Sequence, residues 1–320
     1  MVDMSRRNGA LEVKTAQPIS VSVVICAYSE KRWEMLQSAV DSVLAQSYPV
    51  TELIVCIDHN PEMAKRCREI WGDQGDRSPT PIIVLENKYG GRLGSARNTG
   101  VERACGDIVA FLDDDAAADP EWLTFLTSPY ERPEVVAVGG APLPVFETFR
   151  PQWFPPQLDW VFGCYYEGLP SVLSSVDRLI GASMSARREA LEAIGGFHSD
   201  NHDDMDMCHR LAHERGDQAI WMEPRAVVYH NVGAERVTWS YLWRRCFFVN
   251  KGKVKAFRDM GAAASMDADV KFVIRSIRRS TVQCFRDLSH GDLNGISRLC
   301  VLLAASFLAA SGNVAGRFSR

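Results

Sequence analysis

The sequence predicts an α/β protein: a mostly parallel, doubly wound sheet with an irregular second half and a helical C-terminal tail. Three observations carry that expectation. Apolar runs alternate with helix-length amphipathic segments over the first 140 residues, the order that puts helices on both faces of a parallel sheet. The runs are almost continuously apolar, as strands covered on both faces require. One of them ends in Asp113-Asp114-Asp115, and ligands of open α/β sheets bind beyond the carboxyl ends of the strands.

The elements follow in order. Val21 to Ala27 is a β-rich run, followed by a helical pattern from Arg32 to Gln46. Glu52 to Ile57 is a second strand, and a helix is expected from Pro61 to Trp71. The loop Gly72 to Pro81, rich in Gly, Asp, Ser and Pro, leads to a third strand at Ile82–Leu85. A helix over Arg92–Ala104 precedes the strand Ile108–Leu112, and another starts near Asp119-Pro120. In the second half, Val135–Gly140 and Ala226–His230 read as strands, Arg187–Ile194 and Asp203–Arg215 as helices. Between them, Pro142–Pro170 is rich in Pro and aromatics and reads as a long surface excursion of the kind that shapes a binding site. No repeat or sharp linker divides the 320 residues, so the two halves are expected to be lobes of one catalytic domain.

Charge is distributed unevenly. The net charge is −4, yet residues 236–320 hold 15 Lys and Arg against 5 Asp and Glu. A basic final quarter suits a membrane phospholipid surface or a phosphate-bearing substrate. No nucleic-acid-binding motif accompanies it, so nucleic acid is not an expected partner. A solvated basic face is the bland alternative. The nine cysteines are scattered without a Cys-x-x-Cys pair, which fits a reducing, cytoplasmic setting. Residues 1–18 are polar and expected to form a flexible leader. Ile296–Ala310 is apolar but interrupted by Arg298 and shorter than the roughly 20 residues of a spanning helix. It is expected to pack as a core helix or to lie at a membrane interface.

Three carboxylates at a strand exit repel one another unless a cation or hydrogen-bond donors hold them. A Mg²⁺ or Mn²⁺ ion shared with a phosphate meets that need, since both prefer oxygen ligands. An acidic turn capping the next helix meets it too. Tyr28 and Glu30 follow the first strand, Asp58 the second, and Arg92 opens the next helix, positions from which a carboxylate or guanidinium can bond a base or ribose. No Gly-x-Gly-x-x-Gly or P-loop is present, which disfavours dinucleotide folds and P-loop ATPases. Asp203-Asp204-Met205-Asp206 opens a second acidic cluster, either complementing a helix N-terminus or supplying a general base. His209 and His213 are one turn apart but lack the Glu of a His-Glu-x-x-His site, and read as surface residues. His230 ends a strand and is a candidate ligand to the same metal as Asp115.

These motifs, in this order, resemble the family 2 glycosyltransferases, inverting enzymes of the glycosyltransferase A fold. The resemblance runs from about Val21 to Gly252. It rests on Val23–Tyr28, Ser42–Tyr48 with Glu52–Val55, Ala96-Arg97-Asn98-Thr99-Gly100, Phe111–Asp115 with Pro120 and Trp122-Leu123, and Gly195-Gly196-Phe197 before Asp203–Asp206. It implies a catalytic domain over residues 19–235, with the nucleotide half to about 115, and a basic, membrane-associating helical region after it. By the resemblance, Ala27, Tyr28, Glu30, Asp58 and Arg92 hold the nucleotide, most often uridine diphosphate. Asp113 then lies near the ribose beside Asp114, and Asp115 binds Mg²⁺ or Mn²⁺. Asp204 is the implied base; Asp203 replaces the usual Glu before it, leaving Asp206 as the other register. Related enzymes carry Arg and aromatic residues near Trp239–Lys253 that contact donor diphosphate or acceptor, which nominates Arg244 and Arg245; an amphipathic helix on an apolar face accounts for the same mixture equally well. The processive Gln-x-x-Arg-Trp signature is absent. The implied reaction is a single sugar transfer to a glycan or polyprenyl-linked acceptor, with the protein cytoplasmic and peripheral at the inner face of the membrane. The pattern is nearest to glucuronosyltransferases acting on glucosyl-polyprenyl phosphate. The rivals are a nucleotidyltransferase of similar fold and a non-catalytic sugar-nucleotide sensor.

Overall fold

The computed structural model describes residues 18–72, 79–90, 92–198, 202–259 and 267–318. The expected leader and most of the Gly72–Pro81 loop lie outside the described residues. Strand β1 (Val21–Ala27) pairs in parallel with β2 (Glu52–Ile57) and β4 (Ile108–Asp113), and β2 pairs with β3 (Ile82–Glu86). Helices α1 (Trp33–Leu44), α2 (Pro61–Trp71) and α3 (Leu93–Arg103) are the crossovers. Burial on both faces is why the runs are unbroken: Val21, Val23, Ile25, Leu53, Ile54 and Val55 are all fully buried. Each such side chain contributes about 1.5–3 kcal/mol through burial. The start of α2 is set locally, with Asn60 accepting from the Met63 amide at 3.1 Å and Pro61 in the first turn.

The sheet then continues through β4 in a mixed half. The order is β3-β2-β1-β4-β8-β6-β9-β5, where β5 is Ala116–Ala118, β6 Ala137–Phe146, β8 Ser183–Arg187 and β9 Ile220–Val232. A two-residue strand β7 (Ser174–Ser175) also pairs with β9. Strand β8 runs antiparallel to both β4 and β6, and β5 antiparallel to β9, while β6 and β9 are parallel. Helices α4 (Trp122–Thr127), α5 (Arg188–Ala193) and α6 (Asp203–Arg215) complete this half. Three expectations change. The strand expected at Ala226–His230 begins at Ile220, β8 and β5 were not anticipated, and β6 takes the first residues of the expected excursion. The remainder of that excursion is irregular apart from a short 3-10 helix, Pro156–Phe162.

The C-terminal helices are α7 (Trp239–Asp259), α8 (Asp267–Ser289) and α9 (Asn294–Phe318). They share a core with the excursion: Phe154, Leu158 and Phe162 pack with Leu242, Cys246, Leu302 and Ala305. Helices α7 and α9 approach closely because Gly312 and Gly316 face α7; a Cβ on Gly312 would lie 2.1 Å from the Phe247 carbonyl oxygen. The apolar segment expected to stop at Ala310 belongs to this 25-residue α9, which is long and apolar enough to cross a membrane. A third of its most apolar stretch is buried inside the protein.

Candidate active site

The exit of β4 carries the acidic turn, and the sheet itself brings a partner to it. Pairing of β5 with β9 sets Ala116 opposite His230, so His230 Nε2 lies 3.2 Å from Asp115 Oδ1. Asn231 then binds the Asp115 carbonyl through its backbone amide and its side chain. One ligand atom each from Asp113, Asp115 and His230 lie within 4.8 Å of one another. Two carboxylate oxygens and one imidazole nitrogen form a donor set suited to Mn²⁺ or Mg²⁺. Asp114 turns elsewhere: Oδ1 accepts from Arg32 Nη1 at 2.8 Å, and its buried Oδ2 has no hydrogen-bond partner among the described residues. Arg32 also reaches Asp115 at 3.1 Å, and Arg236 reaches it at 3.3 Å.

The second acidic cluster meets the first through one buried side chain. Arg97, on α3, donates to Asp113 at 3.1 Å, to Asp203 at 2.6 Å and to the Gly181 carbonyl at 3.0 Å. Gly181 returns its amide to Asp204 Oδ2 at 3.1 Å, and the Met205 amide donates to Asp204 Oδ1 at 2.8 Å. Asp204 therefore sits in the first turn of α6 with its carboxylate open to the cavity that Asp113, Asp115 and His230 also line. That cavity has a volume of about 940 Å³. Asp206 is buried instead against Arg210 at 2.5 Å, outside the cavity lining. The other motif residues hold this frame. Gly195 and Gly196 both have φ of +74°, which lets Phe197 exchange backbone bonds with the Asn98 side chain at 2.7 and 2.8 Å.

Tyr28, Glu30, Asp58 and Arg92 stand at the carboxyl edge of the first strands and the start of α3, outside the lining of this cavity. Tyr28 is exposed, as are Glu30 and Arg92. Asp58 accepts from Asn87 at 2.7 Å, and its amide donates to the carbonyl of buried Ala27. Arg244 and Arg245, from α7, line the cavity. His213 is exposed and His209 half-buried.

The sequence from residue 22 to residue 195 matches the glycosyl transferase family 2 profile. The chain belongs to that family. This transferase is 31% identical to the glucosyl-dolichyl phosphate glucuronosyltransferase of Haloferax volcanii, over 73% of its own length and 76% of the relative's. It is 32% identical, over 32% of its length and 37% of the relative's, to an Escherichia coli UDP-Glc:α-D-GlcNAc-diphosphoundecaprenol β-1,3-glucosyltransferase. Its fold is that of a Pyrobaculum calidifontis mannosyltransferase solved with GDP-Man and Mn²⁺: TM-score 0.61, 19% identity, over 93% of this chain and 88% of the other.

In this glycosyltransferase the electrostatics separate the carboxylates. Burial raises Asp204, and the neighbouring Asp203 charge raises it further; Arg97 and the two backbone amides only partly offset this, leaving it at about 6. Burial would raise Asp115 as well, but His230, Arg32 and Arg236 hold it at about 2. His230 is lowered by burial and then raised, to about 10, by its bond to Asp115 and by Cys164, whose Sγ lies 3.5 Å from Nδ1. Without a metal the Asp115–His230 pair is an ion pair. Sequence reasoning assigned no role to Arg32, Arg97, Arg236 or Cys164. Arg97 lay inside a quoted motif, which was the available signal; the others are distant in sequence from the carboxylates they touch.

Proposed function

We propose that this glycosyltransferase moves one sugar from a nucleotide-sugar donor, a uridine diphosphate sugar, to a lipid-linked glycan acceptor at a membrane surface, inverting the anomeric carbon. The observation that carries the proposal is the pairing in one cavity of a metal-type donor set, Asp113, Asp115 and His230, with the raised carboxylate of Asp204. Asp113, Asp115 and His230 would hold a divalent cation, which when bound supplies positive charge for the departing diphosphate. Tyr28, Glu30, Asp58 and Arg92, at the strand ends, bind the nucleoside. Arg97 keeps Asp113 and Asp203 in place on either side of the reaction centre.

The chemistry is a single displacement. Asp204 accepts the proton of an acceptor hydroxyl as its oxygen bonds to the anomeric carbon. The bond from that carbon to the diphosphate oxygen breaks, and the electron pair leaves with the nucleoside diphosphate. A carboxylate near 6 is ionised at neutral pH yet more basic than an ordinary Asp, the compromise a general base needs. The uridine and lipid-linked assignments draw on the names of the E. coli and Haloferax relatives.

The membrane assignment draws on α9. Ile296, Leu303, Phe307, Val314 and Phe318 recur along it at helical spacing and are all exposed, Phe307 at 72% and Phe318 at 83%. On neighbouring α8, exposed Ile274, Val282 and Phe285 lie among Arg275, Arg278 and Arg286, the mixture that binds an anionic bilayer surface. The direct test incubates UDP-sugars, GDP-sugars and nucleoside triphosphates with a glycosyl polyprenyl phosphate and Mn²⁺, and determines the product's anomeric configuration by NMR. Transfer from a UDP-sugar with inversion is expected. Retention of configuration, or pyrophosphate release from a triphosphate, would overturn the proposal.

A further inference from the structure

Cys164 is fully buried and lines the cavity, and its Sγ lies 3.5 Å from His230 Nδ1. It faces the ring nitrogen that Asp115 does not, so it stays outside the set formed by Asp113, Asp115 and His230. Its place is set by the excursion and not by the sheet. Gly163, at φ +75°, turns the chain out of the 3-10 helix, and the Cys164 amide then donates to the Asp159 carbonyl at 3.2 Å. The Tyr165 amide donates to the Pro142 carbonyl at 2.7 Å, and Arg150 holds the Asp159 carboxylate at 3.1 and 2.7 Å. Cys164 packs in the same apolar cluster as Val232, two residues beyond His230 on β9.

A buried imidazole has two nitrogens to satisfy, and only one of these can serve the cation. Nε2 is the nitrogen on the side of the metal-type set, 3.2 Å from Asp115. It ligates only with its lone pair free, which requires the ring hydrogen to stay on Nδ1. Asp115 alone pulls the other way, because its carboxylate accepts from Nε2–H and favours the tautomer that cannot ligate. An acceptor at Nδ1 opposes that pull. Among the described residues, Cys164 is the group that bonds Nδ1. A thiol can donate or accept, and the direction of its single hydrogen decides which. The Phe162 carbonyl, 3.9 Å from Sγ, takes that hydrogen. The sulfur lone pairs are then left to the imidazole.

We propose that Cys164 is a positioning residue for the divalent cation: its sulfur keeps the hydrogen of His230 on Nδ1 and so presents Nε2 to the ion. The proposal rests on the metal reading of Asp113, Asp115 and His230, and Mn²⁺ binding tests it without donor or turnover. Mn²⁺ alone is titrated calorimetrically into the full chain and into Cys164→Val, Cys164→Ala, Cys164→Ser and Asp115→Ala. Each variant is checked for folding by its metal-free melting transition. Two apolar variants are used so that one remains if the other fails to fold.

Wild type is expected to bind Mn²⁺, and Asp115→Ala to lose it. Cys164→Val and Cys164→Ala should each lose about tenfold or more in affinity, the usual effect of removing the partner behind a ligating His. Cys164→Ser should stay within about threefold of wild type, since a hydroxyl oxygen accepts the same hydrogen. A packing role alone predicts the reverse order, because Val and Ala suit an apolar pocket better than Ser. Wild-type affinity in Cys164→Val and Cys164→Ala would overturn the proposal and leave the metal reading standing. Equal losses in the Ser, Val and Ala variants would overturn it too, since the effect would then not follow the hydrogen bond. No Mn²⁺ binding by wild type would overturn the metal reading and this proposal with it.

Discussion

Replacing Asp204 by Asn removes the proposed base while nearly preserving its shape, its single oxygen accepting from one of the Gly181 and Met205 amides instead of both. The wild-type carboxyl titrates at about 6, raised by burial and by Asp203. By the Henderson–Hasselbalch relation it is then about nine-tenths ionised at pH 7. Below pH 6, kcat/KM should fall about tenfold per pH unit, because only the carboxylate accepts a proton. The Asn variant should lose about 10²-fold or more in turnover, about 2.7 kcal/mol of transition-state stabilisation. Its remaining rate should no longer show the acidic limb. The assay is initial-rate transfer of labelled sugar across about pH 5 to 9, with donor affinity followed separately by thermal shift. Asp114 also titrates at about 6, through burial, so Asp114→Asn is the control and should keep the limb. Turnover within about fivefold of wild type, or a limb that persists in Asp204→Asn and vanishes in Asp114→Asn, would refute the base assignment.

Further outcomes follow from the same contacts. Arg97→Met strands Asp113 and Asp203 in a buried setting and should cost about 3–5 kcal/mol in urea unfolding; a loss below about 1 kcal/mol would mean those carboxylates are satisfied otherwise. Gly196→Ala puts a Cβ 2.4 Å from Asn98 Oδ1 at φ +74°, and should destabilise by at least about 1–2 kcal/mol; a neutral result would show that the loop can rearrange freely. The raised His230 pairs with the lowered Asp115, so in the metal-free protein this ion pair stabilises fully between about pH 4 and 6.5, fades as pH rises toward 10 and is lost as pH falls toward 2. Mn²⁺ binding at pH 7.5 should consequently release about one proton, measured by calorimetry in buffers of different ionisation enthalpy; no release would take His230 out of the ligand set. Phe307→Glu with Phe318→Glu should abolish sedimentation with anionic liposomes, and unchanged sedimentation would move membrane contact away from α9.

The legible parts of the fold were those whose side chains answer to burial alone. β1, β2 and β4 are unbroken apolar runs because both of their faces are covered. Strand β8, Ser-Met-Ser-Ala-Arg, gave no such signal. Its serines are buried only because distant groups satisfy them: Trp122 Nε1 donates to Ser183 Oγ at 2.9 Å, and Tyr130 Oη bonds Ser185 Oγ at 2.8 Å. The length of β9 was hidden by Glu223-Pro224-Arg225, which reads as a turn; it stays in the sheet where the register with β6 shifts between Gly139 and Ala141. The continuation of α9 past Ala310 was hidden by its small and polar residues Ser311-Gly312-Asn313, of which Gly312 packs against α7. In the site, the Asp triad, Asp204 and His230 stood out because each ends or opens an element at the carboxyl edge of the sheet. Arg32, Arg236 and Cys164 did not, since only the folded chain brings them to Asp115 and His230.

The central claim is that Asp113, Asp115 and His230 make nucleotide-sugar binding depend on a divalent cation. A thermal-shift panel of uridine and guanosine nucleotide sugars, each with Mn²⁺ and with chelator, on wild type and Asp115→Ala tests it most directly. At a hundredfold excess over Kd a ligand stabilises the native state by about 2.7 kcal/mol, enough to raise Tm by about 5 °C. The expected result is such a shift with a uridine nucleotide sugar and Mn²⁺ in wild type, lost with chelator and lost in Asp115→Ala. A shift of equal size in chelator, retained in Asp115→Ala, would contradict the claim.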